Sequence, residues 1–363
     1  MGLNFKAARV GLALLAAALV ALSACSGERA GGGAAGGTNT VRLQGAGATF
    51  PAPLYQKWLS EYGKLAPQAQ IDYQSIGSGG GIQQIQAQTV DFGASDAPMS
   101  DQDLKKAPAE ILHVPTVLGA VVVTYNLPGN TQPLRFAPGV LADIFLGRIK
   151  RWDDPRIKAD NPTATLPAAD ISVVHRSDGS GTTAVFTDYL AKVSPDWKQK
   201  PGTGKSVDWP VGLGAKGNEG VTGQIKQTPH TLGYVELAYA VQNKLPVAEL
   251  KNHAGNFVAP TLDAVTAAAA ESVAQMPDDL RVSITDAAGA SAYPIASYTY
   301  VLVYREQKDA AKGKALVDFL WWGIHDGERY ARDLQYAPLP PQVAQKAEAK
   351  LKAITAGGQP LRQ

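Results

Sequence analysis

The residues best placed to do chemistry are His175-Arg176-Ser177-Asp178-Gly179-Ser180-Gly181-Thr182-Thr183. They combine a guanidinium, a carboxylate, hydroxyls and glycines within nine positions. The chemistry this suggests is anion binding. Arg176 offers a planar fork that suits two oxygens of one tetrahedral anion, and Asp178 is near enough to hold the fork in place. Ser180, Gly181 and Thr182 read as the first positions of a helix, whose free N–H groups point outward and carry partial positive charge. An ordinary Ser/Thr helix cap beside an Arg–Asp surface pair would use the same letters.

Two further stretches repeat the pattern. Gly45-Ala46-Gly47-Ala48-Thr49-Phe50-Pro51-Ala52-Pro53 precedes apolar residues at Leu54, Tyr55, Trp58, Leu59, Tyr62 and Leu65, one face of a helix. Both prolines fit only the first turn, so Thr49 and Phe50 are expected at an exposed helix N-terminus. Ile76-Gly77-Ser78-Gly79-Gly80-Gly81 opens another helix, with Ser78 expected as its cap. Asp96, in Val90-Asp91-Phe92-Gly93-Ala94-Ser95-Asp96-Ala97-Pro98, stands at the end of a short strand, where α/β proteins place groups that face a ligand crevice; as a lone residue it would serve equally as a turn or cap.

Strands must carry these turns. Thr40 to Leu43, Gln70 to Gln74, Phe92 to Ala94 and Ile171 to Val174 read as strands feeding them, and Ala184 to Val193 as the helix after the third. The nearly continuous apolar run Val114 to Tyr125 is expected as a buried strand. Leu232 to Val235 and Ala296 to Tyr304 are further strands, Asn218-Glu219 starts a helix, Phe319 to Trp322 lies in an amphipathic helix, and Ala344 to Ile354 forms a terminal one.

The chain has 363 residues, 45% hydrophobic and 18% charged, enough for two sizeable cores. A net charge of +2 argues against nucleic acid or an acidic membrane surface as partner, so any bound anion must be held by local geometry. Lys6 and Arg9, the apolar run Val10 to Leu22 and Leu22-Ser23-Ala24-Cys25 read as an export signal (residues 1–24). Leu-Ser-Ala-Cys is similar to the bacterial lipobox, which implies cleavage before Cys25 and a lipid on its sulfur; a plain secretory signal is the alternative. Cys25 is the only cysteine, so no intramolecular disulfide is available. Residues 25–39, rich in Gly and Ala, are expected to be a tether.

Other motifs fail on their context. Gly202-Thr203-Gly204-Lys205-Ser206 lacks the first glycine of a P-loop, and Gly212-Leu213-Gly214-Ala215-Lys216-Gly217 fits a dinucleotide fingerprint in letters alone. His113, His175, His230, His253 and His325 lack zinc-protease spacing, and the sequence calls for no metal and no cofactor. Gly-x-Ser-x-Gly is not matched around Ser180.

Taken together, Gly45 to Pro53, Gly77 to Gly81, Asp91 to Pro98, Asp178 to Thr182 and Gly233-Tyr234-Val235-Glu236 give a sequence that resembles the phosphate-binding proteins of bacterial high-affinity phosphate ABC importers. The resemblance runs from about Val41 to the C-terminus. It implies an α/β, two-lobed periplasmic-binding-protein fold (type II) with two crossover hinge strands and the ligand in the interlobe cleft. Residues 40–124 and 297–363 would form lobe I, and 125–296 lobe II. The implied ligand contacts are Thr49, Phe50 through its backbone, Ser78, Asp96, Arg176, Ser180, Gly181 and Thr182, with Asp178 orienting Arg176. The implied partners are inorganic phosphate and a membrane permease with its ATPase. The implied location is extracytoplasmic, with membrane contact through the Cys25 lipid only. His175 departs from the family, which often has a second Arg there.

A carboxylate in an anion site favours a guest that still carries a proton. Phosphate retains one near neutral pH, whereas sulfate has none to donate to Asp96. The competing readings are a secreted phosphatase or serine hydrolase acting at Ser180, and a binding protein for sulfate or molybdate. No recognisable base motif accompanies Ser180, and the proton argument speaks against the other oxyanions.

Overall fold

The computed structural model describes residues 40–363, so the expected export signal, Cys25 and the expected tether at residues 25–39 lie outside the described part. An eight-stranded sheet runs through it. Its strands in chain order are β1 (Val41–Gly47), β2 (Ala69–Ser75), β3 (Phe92–Ser95), β4 (Ile111–Asn126), β5 (Ser172–Arg176), β6 (Leu213–Ala215), β7 (Thr231–Glu236) and β8 (Ala296–Tyr304). Their spatial order is β2-β1-β3-β8-β4-β7-β5-β6.

The sheet consists of two halves sharing one strand. β4 is apolar and buried almost throughout because its two edges and both faces are covered. Its residues Ile111 to Ala120 pair antiparallel with β8, and Val121 to Asn126 pair antiparallel with β7. The partner changes between Ala120 and Val121, which marks the first crossing between halves. The chain returns at Ile295, whose carbonyl accepts the Val121 N–H at 2.8 Å, just before β8 begins. This is the two-lobed periplasmic-binding-protein architecture with two hinge crossings.

Within each half the strands that feed the glycine turns are parallel: β2, β1 and β3 on one side, β7, β5 and β6 on the other. Parallel strands send their C-terminal ends to the same edge, and helices cross back over the faces. Those helices are α1 (Ala52–Leu65), α2 (Ser78–Gln86), α3 (Gly181–Val193) and α4 (Gly217–Gln227). α1 buries Leu54, Tyr55, Trp58 and Tyr62, as its spacing predicts, and the Trp58 indole donates to the Gly327 carbonyl at 2.8 Å. Leu65 departs from that stripe: it ends the helix beyond the reach of the core and is 64% exposed.

Candidate functional site

Four strand-to-helix turns meet edge to edge where the two halves touch. β1 to α1 brings Thr49 and Phe50, and β2 to α2 brings Gly77, Ser78 and Gly79. β5 to α3 brings Asp178 to Thr182, and β6 to α4 brings Gly217 and Asn218. The approach is backbone to backbone, with the Gly79 N–H donating to the Gly179 carbonyl at 2.8 Å. Side chains would prevent it. A Cβ on Gly181 would lie 2.4 Å from Ser78 Oγ and 2.5 Å from Asp96 Oδ2, and a Cβ on Gly77, where φ is +87°, would lie 2.4 Å from Asp178 Oδ2. The halves are therefore closed on one another at these turns. Lys205 paired with Asp103 at 3.1 Å and Arg281 with Asp101 at 2.7 Å tie them further out.

Arg176, 3% exposed, ends β5 and is gripped by Asp178 through Nε to Oδ1 at 2.8 Å and Nη2 to Oδ2 at 2.6 Å. Its Nη1 lies 3.4 Å from Thr182 Oγ1. Asp178 Oδ1 also accepts the Gly217 N–H at 3.0 Å. Burial pushes the Asp178 carboxyl up, but the guanidinium and that N–H outweigh burial and hold it below the usual carboxylate range. The residue next door points elsewhere, as strand alternation requires: the His175 ring stacks on Trp209 with centroids 4.7 Å apart.

Asp96 is 1% exposed and follows β3. Its Oδ1 accepts the Thr299 hydroxyl at 2.9 Å, and its Oδ2 faces Ser78 Oγ at 3.5 Å. Burial raises its pKa to about 7; the Thr299 bond, the charge of Arg176 and the Ser78 bond offset only part of that. Its carboxyl therefore faces the Gly181 turn beside the hydroxyls of Ser78 and Thr299.

Every candidate residue from the sequence is brought to this junction: Thr49, Phe50, Ser78, Asp96, Arg176, Asp178, Ser180, Gly181 and Thr182. Ser180 caps α3, accepting the Thr183 N–H at 3.0 Å. Two expectations need correction. Thr49 and Phe50 are 2% and 0% exposed, because Asn218 and Tyr239 of the second half cover Thr49 and Tyr336 covers Phe50 at the α1 terminus, where Pro51 is the cap. Ser78 is not a cap: Gly77 takes that position at a left-handed φ, which turns the Ser78 hydroxyl towards Asp96.

Three polar residues at the junction escaped the sequence reading. Asn218, fully buried, donates through Nδ2 to Thr49 Oγ1 at 2.8 Å and to Thr182 Oγ1 at 3.2 Å. Thr299 holds Asp96 from β8. Tyr239 donates to the Thr49 carbonyl at 2.6 Å. Asn218 carries the one usable signal, since Gly217-Asn218 repeats the strand-glycine-polar-helix order of the other turns.

A two-half α/β sheet with an anion-type cluster at its closed junction defines a solute-binding protein, and residues 32–321 match the family model of the PBP superfamily domain. The chain is 46% identical over 314 residues to the phosphate-binding protein PstS of Xylella fastidiosa (strain 9a5c), covering 86% of this chain and 85% of the relative. It is 46% identical over 316 residues to that of Pasteurella multocida (strain Pm70), covering 87% and 91%. This chain belongs to the PstS family of phosphate-binding proteins. In fold it is similar to a phosphate-binding protein from Stenotrophomonas maltophilia, with TM-score 0.65, 20% identity and coverage of 85% of this chain and 93% of the other. It is also similar to a putative phosphate ABC transporter substrate-binding protein with bound phosphate from Clostridium perfringens, with TM-score 0.61, 14% identity and coverage of 83% and 100%.

Proposed function

We propose that this chain binds inorganic phosphate in a protonated form outside the cytoplasm and delivers it to an ABC importer. The observation that carries the reading is Asp96, a buried carboxyl set among donors. In the proposed complex, the hydroxyls of Thr49, Ser78, Ser180 and Thr182 and the N–H groups of Phe50, Gly181 and Thr182 donate to phosphate oxygens. Arg176 supplies the counter-charge, oriented by Asp178, and Asp96 accepts the proton the guest still carries. Sulfate brings no proton, so above about pH 7 it must either set lone pairs against a desolvated carboxylate or wait for Asp96 to be protonated, at a cost of about 1.4 kcal/mol per pH unit. Binding calorimetry with phosphate and sulfate near pH 8 tests this; equal affinities would remove Asp96 from the account.

A binding role is supported over hydrolysis at Ser180 by the use its hydroxyl is put to. Its Oγ accepts the Thr183 N–H, and among the described residues no histidine or carboxylate hydrogen-bonds to it, so nothing there would take its proton. Turnover of a chromogenic phosphate ester would restore the enzyme reading. The partner change between Ala120 and Val121 and the return at Ile295 support a two-lobe division that falls a few residues before the expected bounds 40–124 with 297–363 and 125–296. Among the described residues no helix is long and apolar enough to cross a membrane, and we place the chain extracytoplasmically, held by lipid on Cys25. Mass spectrometry of the mature N-terminus tests the anchor; an unmodified or retained leader would refute it.

A further inference from the structure

We infer that Asn218 is a positioning residue that fixes the hydroxyl hydrogens of Thr49 and Thr182 as donors into the cleft. The inference deepens the phosphate-binding reading and rests on it. A hydroxyl can donate one hydrogen bond and accept two, so which way it points is decided by its neighbours. Thr49 Oγ1 accepts both the Asn218 side-chain amide at 2.8 Å and the Asn218 backbone N–H at 3.3 Å. Thr182 Oγ1 accepts the same side-chain amide at 3.2 Å and Arg176 Nη1 at 3.4 Å. Each oxygen therefore has both lone pairs taken by N–H donors. Among the described residues neither hydroxyl hydrogen has an acceptor, although Thr49 and Thr182 are 2% and 0% exposed.

The orientation of the amide is fixed by the backbone. Asn218 Oδ1 lies 3.1 Å from the Glu236 N–H, a group that can only donate, so the atom facing the two threonines must be the nitrogen. An Asn in this place turns two adaptable hydroxyls into committed donors, a polarity that suits an anion and opposes any guest needing acceptors there. It also makes that polarity a product of closure: Thr49 comes from the first half of the sheet, Asn218 and Thr182 from the second.

The test is a double-mutant cycle read by phosphate calorimetry. Asn218→Ala is expected to weaken phosphate roughly tenfold to hundredfold, the range of one or two charge-assisted hydrogen bonds. The loss should shrink by at least about threefold when residue 49 is already changed by Thr49→Val, and likewise for Thr182→Val. Equal losses in all backgrounds, or Asn218→Ala binding like wild type, would overturn the inference. Asn218→Asp keeps the shape and the acceptor for Glu236 but offers the threonines only acceptors. It should bind worse than Asn218→Ala, with that excess reduced by Thr49→Val, whereas plain charge repulsion would persist. It carries the same cycle if the Ala variant does not fold. Wild-type protein that fails to bind phosphate overturns the proposed function and this inference together; phosphate binding with additive losses overturns this inference alone.

Discussion

The most informative perturbation is pH, applied to sulfate rather than phosphate. Asp96 is buried and titrates at about 7, so below that value it is itself protonated and can donate to an anion with no proton of its own. Above it, sulfate can enter only if Asp96 first takes up a proton. That requirement costs about 1.4 kcal/mol per pH unit, a factor of roughly ten in affinity. Between about pH 7 and pH 9 sulfate should therefore weaken by roughly a hundredfold, and below about pH 6 its affinity should level off. Phosphate brings the shared proton with it over that range, so its affinity should change far less. Calorimetry with each ion at constant ionic strength, using Asp96→Asn as control, reads the difference directly. The control carries a permanent donor and should bind sulfate without this slope. Sulfate affinity that is flat from about pH 6 to pH 9, or that tracks phosphate, would refute the shared-proton argument.

Arg176→Ala should weaken phosphate by about 2 to 5 kcal/mol, since it removes the buried counter-charge and strands Asp178; a change under about 1 kcal/mol in calorimetry would show that the guanidinium does not reach the guest. Gly181→Ala places a methyl 2.4 Å from Ser78 Oγ and should cut phosphate affinity roughly tenfold to hundredfold by holding the halves apart. The unliganded melting temperature should stay level or rise, because alanine favours the helix by up to about 1 kcal/mol; a matching fall in both would mean a folding defect instead. The carboxyl of Asp96 is raised in the fold, so its contribution to stability is present below its unfolded value of 3.8 and is lost as pH rises through about 7. Unliganded wild type should thus lose stability, on the order of a few kcal/mol, relative to Asp96→Asn between about pH 4 and pH 8; thermal melts showing a constant difference would contradict the burial assigned to it.

What the sequence makes legible is what is encoded locally. A strand, a glycine turn and a helix opening fit within a dozen neighbouring positions, so Thr49, Asp96, Arg176 and the Ser180 turn stand out by type and spacing. Asp178 grips Arg176 from two residues away. The supports are a different matter. Thr299 reaches Asp96 across 203 positions within one half of the sheet, and Asn218 reaches Thr49 across 169 from the other half, a contact that exists only once the two halves close. Ser78 reads as a cap because a serine has that propensity; Gly77, with its positive φ, takes the position instead. The burial of Phe50 is likewise invisible, since its cover comes from the far end of the chain, where the Tyr336 hydroxyl donates to its carbonyl at 2.6 Å.

The handover in β4 has a mechanical consequence. Because Ile111 to Ala120 bond to one neighbour strand and Val121 to Asn126 to another, no rung of the ladder has to break when the two parts swing apart. The force that resists swinging resides in a few tips, such as the Gly79 amide on the Gly179 carbonyl and the Lys205 and Arg281 pairs, and not in the sheet. Residence time of the guest can therefore be tuned by substitutions at those tips while thermal robustness of the scaffold stays where it is.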